Sequence, residues 1–155
     1  MTERIDLNRG WEFTRSFSEE FARGGPVPDA EPAELPHTCA VTPYDYFDES
    51  IYQMDCGYRL RLDVPADWDG RRVFLIIGAA AHSAELYLNG ELLNRHYCGY
   101  TSFRTELIGL RPGQENLLVL RVDSREDQDI PPFGFVIDYM TYGGLYREAW
   151  LEVRG

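Results

Sequence analysis

The sequence contains no lysine: all 15 basic residues in its 155 positions are arginine. That absence removes Schiff-base chemistry and a phosphate-cradling P-loop lysine from consideration. Cysteine is scarce, with Cys39, Cys56 and Cys98 forming an odd number and no C-x-x-C spacing. Neither a disulfide framework nor a zinc site follows, and the three read as reduced, mostly buried thiols. His37, His82 and His96 lie apart from each other and from any cysteine pair, so no metal set is expected. No Ser, His and Asp stand in the strand-turn-helix context of a catalytic triad. No apolar run approaches the ~20 residues that span a bilayer, and the N-terminus lacks a basic-then-apolar leader. A soluble cytoplasmic protein with no membrane contact is the expectation, a leader trimmed from the chain being invisible to the sequence. Positive charge is also in short supply, since 26 Asp and Glu leave a formal net charge of -11. Such a balance opposes binding to phosphate backbones, so nucleic acid is excluded as a partner.

Apolar side chains are plentiful, making up 44% of the residues, with aromatics at 14%. A chain of this length buries roughly two-thirds of its unfolded surface and builds one core without staples. Nowhere is a period near 3.6 sustained, whereas alternation at period two recurs. Ile5 to Phe17 reads as an opening strand pair or bent strand with Trp11, Phe13 and Arg15 on one face. Ser18 to Val41 is rich in Pro and Gly and predicts a surface loop. Thr42 to Gly57 carries Tyr44, Tyr46, Phe47, Ile51 and Tyr52, too many aromatics for a solvated loop. Tyr58 to Val64 alternates strictly and predicts a strand with one wet face. Pro65 to Gly70 is a turn, Arg71 to Gly78 a strand, and Ala84 to Leu88 another before Asn89-Gly90. Because both turn residues tolerate positive φ, that pair predicts a type I′ hairpin. Thr101 to Leu107, Asn116 to Val122 and Leu145 to Val153 supply further strands. Some eight short strands at turn-marked spacing predict an all-β antiparallel sandwich.

Several motifs, in this order, resemble the N-terminal domain of family 2 glycoside hydrolases, the group of β-galactosidases, β-glucuronidases and β-mannosidases. They run from Gly10-Trp11-Glu12-Phe13 through Leu35-Pro36-His37-Thr38 to the Tyr58-Arg59 strand ending in Val64-Pro65. Val73-Phe74-Leu75, Ala84-Glu85-Leu86-Tyr87-Leu88-Asn89-Gly90, and His96 with Gly99-Tyr100-Thr101-Ser102-Phe103 continue the series. It closes with Gly113-Gln114-Glu115-Asn116-Leu117, Arg121-Val122-Asp123 and Tyr142-Gly143-Gly144-Leu145-Tyr146-Arg147. The resemblance implies a jelly-roll-like, galactose-binding-domain-like β-sandwich over residues 1–155. An immunoglobulin-like domain and a TIM barrel with both catalytic carboxylates are then expected downstream. Such a barrel takes roughly 250 residues of its own, so hydrolysis is not expected of this chain, and it implies no cofactor. Acidic pairs such as Asp45 with Asp48, or Asp127 with Asp129, read as solvated loop charges rather than the catalytic couple.

The same resemblance makes Asp138 the candidate substrate-binding residue, because an aspartate at this distance ahead of Gly143-Gly144-Leu145-Tyr146-Arg147 reaches the barrel's active site in the family. The chemistry suits the role: an ionised carboxylate accepts hydrogen bonds from two vicinal hydroxyls, and charge-assisted bonds are about twice as strong as neutral ones. Asp127 to Phe135, apolar and rich in Pro and Gly, is expected to dock against the barrel or cap this domain's own core. Gly143-Gly144 lacks the context of a dinucleotide site and reads as a turn, and Arg147 reads as structural. His37 is expected to order its loop through its ring nitrogens. Trp11 and Trp150, on strands, are expected in the core, and Trp68, in a turn, is expected to be the exposed indole. The expected partners are a β-glycoside substrate in the full enzyme and the downstream domains of the same chain, with oligomerisation left open. Two alternatives stand beside this: an autonomous carbohydrate-binding module using Tyr97, Tyr100 and Phe103, and a scaffold or oligomerisation domain.

Overall fold

The computed structural model describes residues 2–37, 55–78, 80, 83–97, 102–123, 145 and 148–155. Among them are ten strands: β1 (Thr2–Asp6), β2 (Trp11–Thr14), β3 (Glu31–Ala33), β4 (Asp55–Asp63), β5 (Arg72–Ile77), β6 (Ser83–Leu88), β7 (Glu91–His96), β8 (Phe103–Glu106), β9 (Glu115–Asp123) and β10 (Ala149–Arg154). They form a four-stranded sheet, β1-β10-β5-β8, and a six-stranded sheet, β3-β2-β4-β9-β6-β7. Every pairing is antiparallel. The expected all-β sandwich is what the chain forms, and among the described residues no helix is long and apolar enough to cross a membrane.

One core cluster draws side chains from both sheets, with Phe13, Tyr58, Leu86, Leu118 and Leu120 from one and Leu75, Ile77, Leu151 and Val153 from the other. The period-two alternation is the cause: on β9, Leu118, Leu120 and Val122 point inward while Leu117 and Arg121 take the opposite phase. Asn94 Nδ2 donates to Thr105 Oγ1 at 2.9 Å, tying β7 of one sheet to β8 of the other. Asn89 and Gly90 both take positive φ, 49° and 89°, and close the β6-β7 hairpin as expected.

Four expectations are corrected. Trp68 is in the core, 7% exposed, because the 3-10 turn Ala66–Trp68 delivers its ring to the core cluster. Trp150 is not in the core: Ala149, Leu151 and Val153 take the inward phase of β10, which leaves the indole on the outer face under the Arg4 guanidinium, 4.3 Å from the ring centroid. Arg15 is exposed and leaves the face of Trp11 and Phe13. Arg59, expected on a wet face, is only 3% exposed.

Arg59 is covered by a segment whose Pro and Gly content predicted only loop. Ser18 caps a one-turn helix, α1 (Glu19–Ala22), by accepting from Phe21 N. Phe21 lies over the outer face of β4, its ring 4.4 Å from the Arg59 guanidinium. That guanidinium donates to the Phe21 and Gly25 carbonyls and pairs with both Glu12 carboxylate oxygens at 3.2 Å. Gly57 makes the approach feasible, since a Cβ there would stand 2.7 Å from the Phe21 ring.

Candidate functional site

Because α1 covers only part of the six-stranded sheet's outer face, a pocket of about 730 Å³ remains beside it. Phe17, Ala22 and Arg23 line it from the helix side, and Arg61, Leu117, Arg121 and Tyr87 from β4, β9 and β6. The register explains the convergence. Arg61 pairs with Leu117, and Arg121 sits between Gly57 and Glu85, so these outward-phase residues share one stretch of sheet. The Asn89-Gly90 turn and Arg111 border the Leu117 end.

The cations here are anchored to different degrees. Arg121 donates to both Asp55 oxygens, the shortest contact being 2.6 Å, and this bond raises its pKa above the ordinary guanidinium value. Its face also lies 5.0 Å from the Phe17 ring centroid. Arg61 donates to the Gly24 carbonyl at 2.6 Å, with Glu115 at 3.6 Å. Arg23 meets only the exposed Glu19, at 3.4 Å. Among the described residues no carboxylate pairs with the Arg111 guanidinium, although Asn116 grips the Arg111 backbone at both N and O. Burial first and Glu85 second push the Tyr87 phenol above its usual value, so it stays protonated and donates to Glu85 at 3.3 Å.

A second polar arrangement lies inside the sandwich end. His37 Nδ1 is 2.6 Å from the Tyr58 hydroxyl, which also accepts from Leu145 N at 3.3 Å. The His37 N–H donates to the Leu145 carbonyl at 2.7 Å. With Leu145 N–H supplying the Tyr58 oxygen, the Tyr58 proton can serve Nδ1 of a neutral ring. Burial favours that neutral form by lowering the His37 pKa. His37 therefore has the ordering role expected of it, joining the Leu35-Pro36-His37 stretch to Leu145.

Asp138, the predicted substrate ligand, lies outside the described residues, as do the two acidic pairs, Asp127 to Phe135, Cys39, Cys98, His82 and Arg147. Cys56 is buried, and its thiol donates to the Val122 carbonyl at 3.3 Å. Phe103 is unavailable as a sugar platform: it is buried and stacks on His96, centroids 4.5 Å apart. Tyr97 is 53% exposed, and Tyr100 is outside the described residues. Among the described residues no three His, Cys, Asp or Glu side chains cluster to hold a metal. The outer-face pocket was missed because its lining comes from separate stretches of chain. Its signal was the shared outward phase of Arg59 and Arg61 on β4 and Arg121 on β9.

No family model matches the chain. Among curated proteins it is 34% identical over 155 residues to a β-galactosidase of Thermoanaerobacterium thermosulfurigenes, covering 99% of this chain and 22% of that protein. A β-galactosidase of Thermoanaerobacter pseudethanolicus is 35% identical over 150 residues, covering 96% and 19%. Among solved structures, β-glucuronidase 2 of Bacteroides uniformis superposes with a TM-score of 0.86 at 28% identity, over 99% of this chain and 18% of that one. The chain is an N-terminal domain of the β-galactosidase and β-glucuronidase glycoside hydrolases. It spans about a fifth of the length of the curated relatives it matches. The superposition spans nearly the whole length of this N-terminal domain, and among the described residues the motifs quoted above fall on strands and turns of the two sheets.

Proposed function

We propose that the chain is the non-catalytic N-terminal carbohydrate-binding domain of a retaining β-glycosidase, most plainly a β-galactosidase, and that it contributes the Asp138 loop to the substrate pocket of the full enzyme. One observation carries the reading: β-galactosidases match this chain from end to end, yet the match occupies only about a fifth of their length. A retaining hydrolase needs two carboxyl groups ~5–5.5 Å apart across the scissile bond. The pocket beside α1 is lined by a single carboxylate, Glu19, among four arginines, the wrong composition for that couple.

In this reading the sandwich is a rigid mount. His37 and Tyr58 grip Leu145, seven residues after Asp138, and fix one root of the loop that carries the aspartate. The Asp138 carboxylate then accepts hydrogen bonds from sugar hydroxyls in the pocket built by the catalytic domain. The test is Asp138→Ala in the full-length enzyme. Loss of a charge-assisted bond to substrate predicts a fall in kcat/KM of roughly tenfold to a hundredfold, with Tm unchanged. Unaltered kinetics would remove Asp138 from the pocket and leave a scaffold role.

A further inference from the structure

We propose that the outer-face pocket beside α1 is a separate ligand site, distinct from the Asp138 loop, that takes a carboxylate-bearing saccharide. Its size, about 730 Å³, falls in the ~300–1,000 Å³ range of small-ligand sites. Four arginines and one glutamate line it in a chain of net charge -11, and while Arg121 pairs with Asp55, Arg61 with Glu115 and Arg23 with Glu19, no described carboxylate meets Arg111.

The arrangement divides the work of recognition. Arg121, clamped by Asp55, and Arg61, clamped by the Gly24 carbonyl, are held in place before any ligand arrives. Pre-set guanidiniums lose little freedom on binding hydroxyl or carboxylate oxygens. Arg111 differs, because Asn116 fixes its backbone while no described carboxylate meets its side chain. Among the described residues it is the arginine of the pocket with no carboxylate partner, and its fork is matched in shape to a carboxylate. Phe17 and Tyr87 add rings, and Leu117 an apolar patch suited to the C–H face of a sugar.

A saccharide fits better than an acidic peptide strand. Peptides recognised by sheets add to an open edge through main-chain bonds. This pocket lies on a sheet face, over β4, β9 and β6, whose backbones are already paired with one another. Recognition there falls to side chains alone.

The experiment is calorimetric titration of the 155-residue chain with digalacturonate, lactose and hexaglutamate, on the parent and on Arg111→Ala and Arg111→Lys. The expected result is saturable digalacturonate binding, at least about tenfold tighter than lactose. Arg111→Ala should weaken it about tenfold, and Arg111→Lys should restore part of the loss because charge returns without the bidentate fork. Because Arg111 is exposed, unchanged circular dichroism is expected in both variants. The proposal is overturned by no saturable binding, by equal affinity for lactose, by an Arg111→Ala variant that binds like the parent, or by hexaglutamate binding as tightly as digalacturonate. The Asp138→Ala kinetics above are independent of all four outcomes.

Discussion

Asn89 and Asn116, 27 residues apart, bond side chain to side chain at 2.9 Å and so lock two turns together. Asn89 also accepts from Leu117 N, while Asn116 accepts from Arg111 N and donates to the carbonyls of Arg111 and Gln114. Asn116 is buried, whereas Asn89 is half-buried and Arg111 exposed, so the network runs from the interior to the surface. The pair is the brace that sets Arg111 at the border of the outer-face pocket.

Asn116→Ala should therefore cost about 2–4 kcal/mol, because a buried side chain gives up four hydrogen bonds at once. For a domain of this size that is a fall in Tm of roughly 2–4 °C for each kcal/mol. Thermal unfolding followed by circular dichroism measures it. A loss under about 0.5 kcal/mol would mean that water replaces the side chain without penalty.

Gly57→Ala should destabilise by about 1–3 kcal/mol, the usual cost of overpacking. The added methyl would meet the rings of Phe21 and Phe17, at 2.7 and 3.0 Å. Lifting α1 should also expose the chain near residues 17–25 to protease. Urea unfolding combined with limited proteolysis checks both halves, and a resistant, equally stable variant contradicts the packing described.

Arg59→Met keeps the stem of the side chain but removes its donors to Glu12, Phe21 and Gly25. Two carbonyls lose a charged partner, and the half-exposed Glu12 is left to solvent. A loss of about 2–3 kcal/mol is expected, measurable as a lower urea midpoint with an unchanged m value.

Stability should fall as pH drops below the ordinary histidine range. Burial holds the His37 pKa beneath the ordinary histidine value of about 6.5, so the unfolded chain binds a proton that the folded chain resists. Where the unfolded state binds more protons, stability rises with pH. The contribution is thus complete above pH 6.5 and is lost on acidification through the lowered folded value. The slope between pH 7 and pH 5 should be smaller in His37→Gln, and identical slopes would show that other groups govern this window.

Much of the sandwich was legible in the sequence because apolar and polar residues alternate along Tyr58 to Val64 on and just after β4 and along β6, where burial follows the same period. Asn89-Gly90 announced its hairpin for a purely local reason, the positive φ that both residues tolerate. Trp11 is in the core as expected, but Trp68 and Trp150 misled because element type alone was used to place them. Phase, not membership of a strand, decides the face, and in Ala149-Trp150-Leu151-Glu152-Val153 the smaller apolar residues own the inward phase. Arg59 was misread for a different reason: what covers it, Phe21, is 38 residues away, and no periodicity carries that contact. The pocket shares this difficulty, since Arg61, Tyr87, Arg111 and Arg121 meet only through the order β4-β9-β6.

The central claim is that glycoside hydrolysis belongs to protein outside these 155 residues. Its most direct test is the turnover of nitrophenyl β-galactoside and β-glucuronide by the purified chain, beside the full-length enzyme at equal molar concentration. The account predicts turnover by the full-length enzyme and none above buffer by the chain. Sustained release of nitrophenol by the chain, abolished by heat unfolding, would contradict it.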